Sequence, residues 1–358
     1  MVQKKRLRYI DIARGIAMFI IVFGHAISAT SAHAYPIYRV LFFINVPIFF
    51  VLSGYMFRVK DSESFWLFLK NKFLRIMLPY FFWALLFLVP YFIFGWDIAN
   101  QLSQESSFDL WTQIGNVFYG NGVNNALKQN GPLWFLPALF MTEVLFYYTV
   151  YFVKSKKMEV VIFVATLLIG FLSTLFAEKF YLPWGLNSVL TIGCFFYFGY
   201  LLKNWQVFEK LKSKNYNIFL FVTCLLVCTL SIYFNGSKNV VWADYQYLTY
   251  GLTIVAGMAS AVAIILMSKW ISKSKIIEYV GKNTMSILIF HKIIIVVAQT
   301  KLGGFSKLLM DSNIVLELLL SLIVSVVTIA ASLLIGVLLR KIAPELIGER
   351  RRRAELRK

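Results

Sequence analysis

Apolar residues along this chain come in long runs interrupted by short polar stretches, and most runs approach the roughly 20 residues that carry a helix across a bilayer. The pattern predicts ten spans, near residues 9–30, 36–57, 76–95, 132–153, 158–177, 186–202, 216–234, 245–267, 281–300 and 313–339. Two of them, 158–177 and 186–202, flank a Pro-Trp-Gly turn at 183–185 that leaves a re-entrant pair open as an alternative. The pattern therefore predicts an all-α, polytopic transmembrane bundle. Its membrane domain covers 1–345, followed by a basic tail at 346–358.

Composition agrees with that reading. Hydrophobic residues make up 59% of the 358 positions, charged residues 15%, and mean hydropathy is +0.70, which excludes an ordinary soluble domain. The net charge of +19 would suggest nucleic acid in a soluble chain, but its distribution points elsewhere. With the amino terminus inside, the loops 1–8, 58–75, 154–157, 203–214, 269–282 and 340–358 hold 28 of the 36 Lys and Arg. The positive-inside rule then places both termini in the cytoplasm. The Arg350 to Arg353 run reads as a topology determinant beside membrane lipids, with no nucleic-acid partner.

The stretch from Lys4 to Ala34 imitates a secretory signal, with basic residues, an apolar run and Ala32-His33-Ala34. Asp11, Arg14 and His25 inside the run argue against cleavage. Cys194, Cys224 and Cys228 all fall within predicted spans and read as packing residues. The longest outer loop, about 96–131, is rich in Asn, Gln, Ser and Gly, and either covers a site or is plain surface. His33 sits in a short outer loop and reads as solvated.

Ionisable residues inside spans are the informative exceptions, because each is costly in lipid. Arg14 and His25 lie eleven residues apart in the first span, which returns a helix to nearly the same face about 16 Å further along. Counted from the span ends, Glu143 and His291 fall near the midplane, with His25 somewhat closer to the outer face. Two imidazoles and a carboxylate at one depth suit acid/base chemistry, a proton relay, or bridging between helices. A second group gathers at the cytoplasmic side: Asp11, Arg14, Ser53, Lys72 and Arg75. Lys72 and Arg75, one turn apart before Pro79, suit phosphates or simply anchor a helix end. Asp11 and Arg14 could instead be a structural ion pair, and Trp134 and Phe135 part of an interfacial aromatic belt. No residue spacing suggests a metal site.

Several blocks, in order, resemble the membrane-bound acyltransferase-3 family, which includes bacterial surface-polysaccharide O-acetyltransferases. They are Arg8-Tyr-Ile-Asp11-Ile-Ala-Arg14-Gly15 with His25, Phe49-Phe50-Val-Leu-Ser53-Gly54, Lys72-x-x-Arg75 with Pro79-Tyr80, Gly131-Pro-Leu-Trp134-Phe135 with Glu143, and Ser286-x-x-x-Phe290-His291. The resemblance implies an O-acyltransferase in a bacterial cytoplasmic membrane. It would take an acyl group, most often acetyl, from cytoplasmic acyl-CoA, a substrate rather than a bound cofactor, and pass it to a carbohydrate acceptor outside.

By the same resemblance His25 is catalytic, with Glu143 or His291 orienting the imidazole or the acceptor, and a His-bound acyl intermediate is the main variant. Asp11, Arg14, Ser53, Lys72 and Arg75 fall on the donor side, Trp134 and Phe135 on the acceptor side. Lys72 departs from the family pattern, in which Arg is common, and an ammonium lacks the planar fork for bidentate phosphate binding. Two other classes fit parts of the pattern: a proton-coupled exporter of a glycan or small solute, and an assembly subunit with structural polar layers. Against the exporter, no internal repeat relates two halves of the chain. The acceptor, the acyl length and the oligomeric state are not legible.

Overall fold

The computed structural model of the protein describes residues 7–30, 35–60, 63–94, 109–123, 126–176, 181–236, 240, 242–243, 249–310 and 314–350. Among these every regular element is helical: α1 (Arg8–Thr30), α2 (Tyr35–Met56), α3 (Phe65–Lys72), α4 (Leu78–Leu86), α5 (Val89–Phe94), α6 (Leu110–Tyr119), α7 (Phe135–Phe152), α8 (Lys156–Thr174), α9 (Leu186–Asn204), α10 (Val207–Lys210), α11 (Lys214–Phe234), α12 (Tyr250–Trp270), α13 (Lys275–Lys282), α14 (Thr284–Met310) and α15 (Ile314–Ile342). His33, the Lys4-Lys5-Arg6 run and Arg351 to Arg353 lie outside the described residues.

Among the described residues eight helices are long and apolar enough to cross a membrane, nine when α13 and α14 count as one span bent by 83°. The chain is thus a multi-pass membrane protein. Its span count differs from the ten expected at 76–95, where the apolar run is divided between α4 and α5 by a turn at Phe87-Leu88. The Pro183–Gly185 turn does not force a re-entrant pair, since Lys156–Thr174 and Pro183–Asn204 each have the length and hydropathy of a span. Within the expected loop 96–131, residues 110–119 form α6, and Gln113, Asn121, Gln129 and Asn130 are buried.

Burial separates an inner set of helices from an outer one. The spanning windows of α9 and α12 are 78% and 72% buried, against 11% for α8 and 22% for α11. Apolar burial gives little drive between helices already in lipid, so close backbone approach carries more of the association. Two reciprocal glycine contacts show it. Gly54 of α2 lies against the Phe196 carbonyl and Gly199 of α9 against the Val51 carbonyl, leaving no room for a Cβ on either. Gly281 of α13 meets the Asp11 carbonyl in the same way, and Gly15 of α1 meets that of Ile277. The peripheral α8 is tied in by its buried Glu159, which accepts hydrogen bonds from Asn204 Nδ2 at 2.5 Å and Trp205 Nε1 at 2.6 Å.

Between α3 and α4 the helix continues but widens, with Phe73–Met77 forming a π-helical turn. Pro79 supplies a cause. It has no N–H for the Arg75 carbonyl, and its ring would collide with that carbonyl in a regular helix. The wider turn relieves the collision, and the Leu78 N–H donates to the Phe73 carbonyl instead.

The basic tail expected from residue 346 begins as part of the bundle. Trp83 Nε1 donates to the Leu346 carbonyl at 2.7 Å, Ile347 is buried, and Gly348 (φ 70°) sits against the Arg75 carbonyl. Arg340 holds Glu349 through Nε at 2.8 Å and Nη2 at 2.7 Å, and Arg350 Nη2 donates to Asn71 Oδ1 at 2.6 Å. An apolar pair at Leu346-Ile347, hidden between charged residues, is what anchors this segment.

Candidate functional site

A cavity of about 650 Å³ runs through the inner helices. Arg14 and His25 of α1 both line it, as the eleven-residue spacing predicts for one helix face, and so do Ser53, Lys72, Arg75, Trp134, Phe135 and Glu143. Of the residues singled out in the sequence, Asp11 and His291 are not on its wall. Asp11 is buried behind it at the α1–α13 contact.

At one end His25 and His291 face each other with ring centroids 5.2 Å apart and planes inclined by 43°. His25 also meets the edge of Phe42 at 5.1 Å, and its carbonyl accepts from Ser28 Oγ at 2.9 Å. His291 is fully buried, with Nδ1 2.9 Å from the Ile287 carbonyl and 3.0 Å from the Leu288 carbonyl. Carbonyl oxygens only accept, so Nδ1 carries the proton and a neutral His291 presents a lone pair at Nε2. That nitrogen has no hydrogen-bond partner among the described residues. The loop before α7 reaches the same place, where Asn130 Nδ2 donates to the Ile289 carbonyl at 2.8 Å.

The other end is basic. Lys72 stands at the start of the π-helical turn, with Nζ 5.4 Å from the ring centroids of both Phe57 and Phe68. Arg75 lies within the turn and is exposed. Glu143, expected at the depth of the imidazoles, belongs instead to this end. Its Oε2 is 2.8 Å from Lys72 Nζ, an ion pair by distance although not directed as a hydrogen bond. Counting residues along a span gives height but not the direction a side chain faces once the helices pack. Glu143 is buried, whereas Lys72 remains partly exposed, so the pair sits at the boundary between the helices and the open part of the cavity.

Three charged wall residues, Lys282, Lys292 and Glu349, were not singled out as site members beforehand. Lys292 stands out as a cation near the middle of the run 281–300, whereas Lys282 and Glu349 gave no signal, because Lys282 lies where that run meets a loop and Glu349 lies in the tail. Lys282 pairs with Glu278, which also receives Arg8 Nε at 2.5 Å.

A bundle of membrane-crossing helices with a polar interior cavity, cationic at one end and bearing paired imidazoles at the other, defines a polytopic membrane protein built around an internal site. The chain belongs to the acyltransferase-3 family, since residues 7–337 match the family model described as an acyltransferase domain. It is accordingly a membrane acyltransferase. No curated protein and no solved structure matches the chain significantly.

Proposed function

We propose that this acyltransferase takes an acyl group, preferably acetyl, from cytoplasmic acyl-CoA and places it on a hydroxyl of a carbohydrate at the outer face of a bacterial cytoplasmic membrane. The observation that carries the reading is a single cavity lined by Arg14, Lys72 and Arg75 as well as by His25. Membrane acyl transfer needs such a path, because a donor bearing phosphates and an acceptor from the opposite face must meet away from both.

In this reading Arg75 and Lys72 receive the phosphates of CoA, Arg through its planar fork and Lys as a point charge. Glu143 acts through Lys72 as a positioning residue, and Ser53 and Arg14 line the way toward the reacting carbon. His25 takes the proton of the acceptor hydroxyl as its oxygen attacks the thioester carbonyl. The tetrahedral intermediate then collapses, the carbon–sulfur bond breaks, and the imidazolium returns the proton to the departing thiolate. His291 packs against the His25 ring and orients it, with its own tautomer fixed by the Ile287 and Leu288 carbonyls. Trp134 and Phe135 offer aromatic faces to a sugar.

The test uses full-length protein in membranes supplied with acetyl-CoA labelled in the acetyl group. Label should appear on envelope carbohydrate with the wild-type chain and not with His25→Ala at equal protein abundance. Transfer that survives His25→Ala overturns the mechanism. Solute export without acetyl-CoA turnover overturns the donor assignment.

A further inference from the structure

Lys292 is the single Lys, Arg, Asp or Glu in the spanning part of α14, Thr284–Gln299, and it follows His291 directly. Its side chain is partly accessible and lines the same cavity as His25, whose ring faces that of His291. Among the described residues it has no ion pair and no hydrogen bond. Two other cavity cations are compensated, Lys72 by Glu143 and Lys282 by Glu278. Among the described residues Arg75 also shows no such ion pair, and it is exposed at the opposite end.

An uncompensated ammonium within a membrane span is expensive, and such residues mark a ligand path. Its surroundings narrow the ligand. Phe42 packs on His25, the Tyr38 ring lies tilted against Phe42 with centroids 4.2 Å apart, and Trp242 Nε1 donates to the Phe42 carbonyl at 2.7 Å. All three aromatic residues line the cavity, together with Asn45. Aromatic faces and an amide suit a sugar ring, whereas the cation asks for an anion. The donor does not provide one here, because the phosphates of acetyl-CoA lie far from its thioester and the acetyl group is neutral. Lysine, a point charge without a planar fork, suits a single carboxylate.

We propose that Lys292 makes the acceptor subsite selective for acidic saccharides, its ammonium receiving a sugar carboxylate while His25 faces the accepting hydroxyl. The inference rests on the assignment of the histidine end to the acceptor. It identifies Lys292 as a specificity-determining residue rather than a catalytic one.

The experiment titrates full-length protein in phosphatidylcholine nanodiscs with methyl β-glucuronide and with methyl β-glucoside, following tryptophan fluorescence from the cavity residues Trp134 and Trp242. The glucuronide should bind at least tenfold more tightly to the wild type. In Lys292→Met that ratio should fall to about one, and Lys292→Arg should retain most of it, with thermal melting confirming that both variants fold. Equal or absent binding of the two sugars by the wild type overturns the proposal, as does a preference that persists in Lys292→Met.

Transfer of labelled acetyl to the same two sugars gives the second readout, in which the lost preference should appear in KM. A binding preference without transfer to either sugar leaves Lys292 in place and counts against the O-acyl transfer reading. A wild-type preference for succinyl-CoA over acetyl-CoA that disappears in Lys292→Met, without any glucuronide preference, assigns the ammonium to the acyl group and overturns the proposal.

Discussion

The two ends of the cavity are built in opposite ways. At the basic end two cations sit at irregular backbone: Lys72 ends α3 where the π-helical turn begins, Arg75 lies within that turn, and the Leu346–Glu349 segment folds against it. At the histidine end both imidazoles sit on regular helices, His25 well inside α1 and His291 in α14, with one ring fixed by two backbone carbonyls. The basic end presents long side chains, one of them exposed, whereas His291 is fully enclosed. The difference is what capture and chemistry would each require. In the proposed reaction a charged, flexible donor would be met by groups with reach, while a reacting hydroxyl would need a base held within a fraction of an ångström.

Breaking each end in turn should give different kinetic signatures. The largest effect is expected at the histidine end, where His25→Ala should lower kcat by about 10³-fold, in the range of a lost general base. Donor affinity, read by isothermal titration with CoA, should be unchanged. A parallel loss of CoA binding would mean that the two ends are not separable.

At the basic end Arg75→Ala should raise the KM for acyl-CoA by tenfold or somewhat more, as for a lost charge-assisted hydrogen bond of about 1.5–3 kcal/mol. The expected effect on kcat is small, and steady-state kinetics over a donor series would check both.

Glu143 decides which end it serves. If it positions Lys72, Glu143→Gln should raise the donor KM about fivefold to tenfold, and adding Lys72→Met should cost much less than the sum of the single changes. A fall in kcat at saturating donor would return Glu143 to the imidazoles. The smallest kinetic effect is expected for Gly54→Ala. Its added Cβ meets the Phe196 carbonyl, so about 1–3 kcal/mol of stability should be lost as a lower melting temperature. The two KM values should stay within about twofold at a permissive temperature, since Gly54 makes helix contacts and does not line the cavity.

The sequence made the helices and the residues of the wall legible to different degrees. Apolar runs of span length located nine of the helices, because lipid imposes a length and a composition that a window can count. At 76–95 no single helix of span length matches the run among the described residues, since hydropathy does not register the break at Phe87-Leu88. Arg14 and His25 share a wall because both are on one helix, where spacing alone fixes direction. Glu143 and Lys72 are on different segments, and their meeting depends on packing and on the widened turn, neither of which a one-dimensional pattern contains. The inward fold of Leu346-Ile347 escaped notice for a similar reason: two apolar residues among many charges give little signal.

The widened turn at Phe73–Met77 also makes chain length a functional variable. A π-turn holds one residue more than the α-turn it replaces, so it behaves as an insertion absorbed without a loop. Removing one residue there would let the helix rewind and turn Lys72 away from Glu143 relative to everything downstream. Two homologues with identical residues but helices differing by one position would then present the cation to different neighbours. Comparisons of this segment across species are therefore sensitive to a one-residue gap in a way that no substitution score captures.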